Sequence, residues 1–124
     1  MVELLAVTII IGKLAALAIP VFLNQRAQAH DAAARQDLGS LAKMVSAEFL
    51  DGATTVIVTQ SSSSCVVNGD PVAPRSDGVE LAGFMQGSSG STWCVNLVHP
   101  DGSTSKSPGL QYQATDGFGE GACS

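Results

Sequence analysis

The apolar positions of this chain are crowded at its start. From Leu4 to Leu23 it reads LLAVTIIIGKLAALAIPVFL, with Lys13 as the one charge inside the run. That is about the length a helix needs to cross a hydrocarbon layer of roughly 30 Å. An acid, Glu3, stands before the run where a signal peptide carries bases, and the run is longer than a signal peptide's apolar core, so the segment reads as retained rather than as a removed signal peptide. The competing reading is a helix buried in a soluble core, but nothing else in the chain is apolar enough to wrap it.

Polar residues then enter without breaking the helical period. NQRAQAHDAAARQDLGSLAKMVSAEFLDG is rich in Ala, lacks Pro and mixes both charge signs, as a solvated helix does. Its Leu38, Leu41, Ala42, Val45 and Phe49 fall at i, i+3, i+4, i+7 and i+11, one stripe suited to packing on a sheet. Asp51-Gly52 supplies the stop, because Gly enters the left-handed conformation without a side-chain penalty. Residues 2–51 are thus predicted as one helix of about 75 Å, greasy all round in its first half and amphipathic in its second.

Past Gly52 the period shortens to that of strands. TTVIVT (54–59), CVV (65–67), VELAGF (79–84), TWCVNLV (92–98) and LQYQAT (110–115) are β-type runs separated by Ser, Gly, Asp and Pro. They predict a small antiparallel sheet, with the last two runs paired as a hairpin across Pro100-Asp101-Gly102. The serine tracts at 61–64 and 87–91 read as flexible surface loops. The predicted class is α+β: an apolar helix segment over 1–23, an amphipathic helix over 24–52, and a β-sheet head over 53–124.

With 124 residues, 45% of them hydrophobic and 14% charged, one compact unit is expected and a disordered tail is excluded. The net charge of −5 leaves no basic face, since four bases stand against five acids before Gly52 and two against six after it. Direct nucleic-acid binding is not expected, because phosphate recognition needs clustered cations.

Candidate chemistry is sparse. Cys65, Cys94 and Cys123 permit one disulfide and leave one thiol. Cys94 with Cys123, tying a turn-rich tail to a central strand, is the preferred pairing; Cys65 with Cys94 is the rival. Under the first pairing, replacing Cys65 by Ser is expected to be nearly silent. No C-x-x-C pair or flanking His makes the cysteines a metal site. His30 and His99, one in the helix and one in a turn, read as solvated surface residues. Asp116 to Glu120, with Asp101 or Asp77, offer oxygens of the kind calcium takes, but the spacing is not an EF-hand and a solvated acidic loop is the better reading. Ser64 and the other serines lack a paired base, so no catalytic residue, enzyme activity or cofactor is expected.

The stretch MVELLAVTIIIGKLAALAIPVFLNQRAQAHDAAARQDLGSLAKM resembles the N-terminal half of mature type IV pilins. That family opens with Phe-Thr-Leu-hydrophobic-Glu-Leu-Leu and continues through Gly-hydrophobic-Leu-Ala-Ala-hydrophobic-Ala-Ile-Pro into a DAA…DL helix. The matching residues are Glu3, Leu4, Leu5, Gly12, Leu14, Ala15, Ala16, Ala18, Ile19, Pro20, Asp31, Ala32, Ala33, Asp37 and Leu38. More loosely, the Trp93-Cys94-Val95 run and the Gly-rich ending Gly121-Ala122-Cys123 are similar to pilins of Gram-positive bacteria, actinobacteria in particular. Two features depart from the pattern. The Phe-Thr pair that sets the acid at its usual distance from the mature amine is missing, and Lys13 stands where the family is usually apolar.

The resemblance implies a pilin fold and a structural subunit that polymerises through its N-terminal helices into an extracellular type IV pilus. Its implied partners are further copies of itself, the bacterial cytoplasmic membrane before assembly, and a prepilin peptidase with the pilus assembly machinery. Glu3 is implied to pair with the N-terminal amine of a neighbouring subunit, the alternative being a carboxylate that snorkels to the interface; Lys13, outside the family pattern, is read as snorkelling before assembly and meeting a carbonyl or Glu3 of a neighbour afterwards. Gly12 and Pro20 are weak points, since Pro20 has no N–H for the carbonyl of Ala16 and Gly disfavours helix. Between them the helix is expected to be interrupted in a filament and unbroken in a lipid-embedded monomer. The alternatives are a pseudopilin of a secretion system, a minor pilin of a DNA-uptake filament, or a single-pass membrane-anchored binding domain that never polymerises.

Overall fold

A computed structural model describes residues 1–124. The long helical period of the first 50 residues yields one helix, α1, spanning Val2–Leu50 without interruption, with Pro20 inside it. Its 49 residues make a rod of about 74 Å. It ends as the Asp51-Gly52 signal requires. Gly52 takes φ 99°, its N–H donates to the carbonyl of Phe49, and the N–H of Ala53 donates to that of Glu48. These two bonds satisfy carbonyls that a helix end otherwise leaves open.

The head holds two antiparallel sheets rather than the single one predicted. One comprises β1 (Val58–Gln60), β2 (Ser64–Val67) and β3 (Asp70–Pro74); the other comprises β4 (Glu80–Gln86), β5 (Trp93–Val98), β6 (Leu110–Gln113) and β7 (Gly117–Glu120), each sheet ordered as the chain runs. The expected pairing of β5 with β6 is present. Residues 54–57 are not strand, and two of their donors find side chains instead of a ladder. The Val56 N–H donates to Oε1 of Gln86 at 2.8 Å and the Ile57 N–H to Oδ1 of Asn68 at 2.9 Å. Gln60 likewise accepts the Leu81 N–H through Oε1 at 2.6 Å, so the two sheets are joined by side-chain amides.

Strands β3 and β7 were not foreseen. Asn68 and Gly69 adopt φ of 53° and 94°, the left-handed pair of a tight hairpin that sets Val67 opposite Asp70. Pro71 and Pro74 disguise β3, but an edge strand tolerates a residue with no N–H to give. The other edge, β7, is half glycine and lies where an acidic loop was expected. The serine tracts lie at the surface, as expected, and their backbone groups carry hydrogen bonds. Ser61 donates its N–H to the Ser64 carbonyl at 2.8 Å, and Arg75 holds the carbonyls of Ser61, Ser62 and Val79. The tract at 87–91 is the turn joining β4 to β5, closed by the Gly87 N–H on the Thr92 carbonyl at 2.6 Å.

The stripe read from the sequence faces the core. Leu38, Leu41, Ala42 and Val45, with Ala34, are buried against Val56, Cys65, Val67, Ala73, Val79, Trp93, Val95, Leu97 and Leu110, and Phe49 packs at the margin. Cys94 and Cys123 form the disulfide. The tail it holds is also gripped by the buried amide of Asn96, whose Nδ2 donates to the carbonyls of Pro108, Leu110 and Gly121 at 3.1, 3.0 and 3.0 Å. The free thiol, Cys65, is 1% exposed. The expectation that Cys65→Ser is silent is therefore corrected, since a hydroxyl there would be buried in the apolar core. Burial, reinforced by the Asp37 carboxylate and opposed by Arg75, pushes the Cys65 thiol pKa up.

Candidate assembly helix and its anchorage

The first half of α1 touches nothing. No residue before Ala27 is even half-buried, and thirteen large apolar side chains from Val2 to Leu23 are each more than half exposed. At roughly 1.5–3 kcal/mol for burying such a side chain fully, covering them is worth on the order of 10–20 kcal/mol. That is comparable to the whole stability of a domain. The helix is long and apolar enough to cross a membrane, and Thr8, the one hydroxyl in its apolar run, satisfies itself by donating Oγ1–H to the Leu5 carbonyl at 2.8 Å.

Glu3 lies exposed in the first turn, where a carboxylate complements the helix dipole. Lys13 is ten residues further on, about 15 Å along the axis, so the two cannot pair within one chain. Gly12 has open space around it and Pro20 sits mid-helix; in the single chain the segment between them is helical.

The second half of α1 is fixed to the head by two carboxylates whose roles composition did not reveal. Asp31 accepts the N–H groups of Ser103, Thr104 and Ser105 at 2.9, 3.1 and 2.9 Å and the Ser105 hydroxyl at 2.7 Å. Burial works to raise its pKa, but the Ser105 hydroxyl and the three N–H donors outweigh it, and the carboxyl is held below its ordinary value. Asp37, 5% exposed, accepts the N–H and hydroxyl of Ser76 at 2.6 and 3.0 Å. The first grips the loop between β5 and β6, the second the connection between the two sheets.

The histidines depart from expectation. His99 is 2% exposed, and its ring stacks on that of His30 with centroids 4.2 Å apart. Nδ1 of His99 accepts the Asp101 N–H at 3.1 Å, so the proton sits on Nε2, which donates to the Asp77 carbonyl at 3.1 Å. His30 is half-buried with its Nε2 enclosed and unpartnered. The two rings, distant in sequence, are a second contact between α1 and the β5–β6 loop. The acids suggested as calcium donors are not gathered. Asp116 lies in the β6–β7 turn, Glu120 at the far end of β7 opposite Leu110, and no three His, Cys, Asp or Glu side chains converge on one point.

In comparisons with protein families, curated proteins and solved structures, nothing matches this chain. What stands is a spanning-length apolar helix that continues, unbroken, into an α+β head stapled by one disulfide.

Proposed function

We propose that the chain is the structural subunit of a type IV pilus-like filament, held in the cytoplasmic membrane by its stem until assembly and displayed on the cell surface afterwards. The observation that carries this reading is the stem itself: an apolar surface worth on the order of 10–20 kcal/mol to cover, uncovered in the single chain and rigidly continuous with the head. Lipid and neighbouring stems are the two environments that can cover such a surface on all sides. Glu3 distinguishes them, because a carboxylate at a spanning helix is costly in lipid and Lys13 of the same chain lies too far along the axis to neutralise it. The head contributes form rather than chemistry, with its polar groups spent on holding loops to the helix.

Electron microscopy of sheared cell-surface material, with the subunit identified by mass, tests the proposal. Thin filaments built of this chain are expected. Recovery of the chain solely as a membrane-embedded monomer would favour an anchored domain that does not polymerise.

A further inference from the structure

Between α1 and the outer edge of the four-stranded sheet lies an open groove of about 550 Å³. Its floor is the helix face bearing Gly39, Ser40 and Ala47, and its wall is Tyr112 and Phe118. Phe118 is 53% exposed, although its ring meets Tyr112 edge-on at 5.0 Å. A Cβ on Gly39 would come within 3.2 Å of that ring, so glycine keeps the floor low. Leu50 ends the groove and is 87% exposed. One chain thus presents two uncovered apolar surfaces, a convex stem and a concave groove.

We infer that this groove seats the stem of a second copy, residues 2–14, lying parallel to the helix that floors it. The inference rests on the polymer reading above and adds where each stem goes. Charge selects the occupant and its direction. Arg35 and Lys43 stand exposed at the groove of an otherwise acidic chain, and Asp51 stands exposed beyond its end. Along the stem the order is likewise complementary, acid first at Glu3 and cation second at Lys13. With Glu3 opposite Gly39, midway between Arg35 and Lys43, Lys13 falls opposite Phe49, about 3 Å along the axis from Asp51. Reversing the stem sends Lys13 towards Ala29, outside the groove and one turn from Arg26, where the Asp31 carboxylate is already occupied by its loop.

Small residues on the floor let two helix backbones approach closely. The register offsets the copies by 36 residues, about 54 Å of helix. Groove of one on stem of the next is a heterologous contact, and a contact of that kind repeats into an open filament unless a rotation closes it.

The test uses the full-length chain in detergent, with photoreactive benzoyl-phenylalanine in place of the exposed Phe118, and starts assembly by removing detergent. Crosslinks from position 118 to residues 2–14 of another copy are expected, mapped by mass spectrometry. The double variant Arg35→Glu, Lys43→Glu, both at exposed positions, is expected to lower filament yield about tenfold with Trp93 fluorescence of the head unchanged. Normal filaments from the double variant, or crosslinks confined to other heads or to lipid, overturn the groove and leave the polymer standing. A wild-type chain that stays monomeric in lipid overturns both.

Discussion

Reducing the bond between Cys94 and Cys123 opens a loop with a sequence separation of 29 residues. In the chain-entropy treatment, a loop of that size contributes about 3.6 kcal/mol by restricting the unfolded chain. Cys94→Ser and Cys123→Ser should each lose that amount, roughly 15–30 °C of melting temperature for a head of this size. Cys65→Ser acts differently. At 1% exposure it places a hydroxyl among Leu and Val side chains, at a cost of about 1–3 kcal/mol. The two mechanisms separate on adding reductant. The wild type and Cys65→Ser should both weaken by the loop contribution, whereas Cys94→Ser and Cys123→Ser should not respond. Urea unfolding of the full chain in detergent, followed by the single Trp93 that is 6% exposed beside Cys94, reads all four proteins. A wild-type midpoint unmoved by reductant would refute the staple, and a Cys65→Ser midpoint equal to wild type would refute the packing around that thiol.

Three further outcomes are expected. Asn96→Ala leaves three carbonyls without their shared donor and should cost about 2–4 kcal/mol, with faster hydrogen exchange at Gly109 and Gly121 as the local signature; unchanged exchange would contradict it. Asp31 has a lowered folded pKa, so its stabilisation is complete above the ordinary carboxylate value of about 4 and is lost as pH falls below that through the folded value. Urea midpoints between pH 5 and pH 2 should therefore fall more steeply for wild type than for Asp31→Asn, and parallel curves would remove the clasp from the account. Glu3→Gln should insert into membranes as wild type does yet fail to build filaments, because insertion depends on the apolar run and registration on the charge; normal filament yield from the variant argues against that division.

Elements set by periodicity were legible in the sequence. The i, i+3, i+4 stripe from Leu38 to Phe49 and the Asp51-Gly52 stop define the head-facing half of α1 without any tertiary information. Elements set by local turn geometry are legible only in part: Asn68-Gly69 is a hairpin signal, while Pro71 and Pro74 argue against a strand after it. Elements set by long-range satisfaction of polar groups were not legible. Nothing near Thr54 announces that Gln86 and Asn68 will take the donors a strand would have used, and nothing near His99 announces that His30 will cover it. The stem was visible at once, because its physics is that of a single segment, whereas the groove depends on β7, an edge strand with alternating glycine.

The two clasps also decide how the molecule meets tension. Asp31 and Asp37 are six residues apart, about 9 Å along the axis, and a pull arriving through the stem reaches Asp31 first. Its partners share one carboxylate, so they must yield together rather than in turn. The segment they hold, Ser103 to Ser105, lies inside the covalent ring closed by Cys94 and Cys123. Force therefore passes from a rod into a ring that cannot unravel: the span between the two cysteines stays closed even if every strand within it is stripped from the sheet.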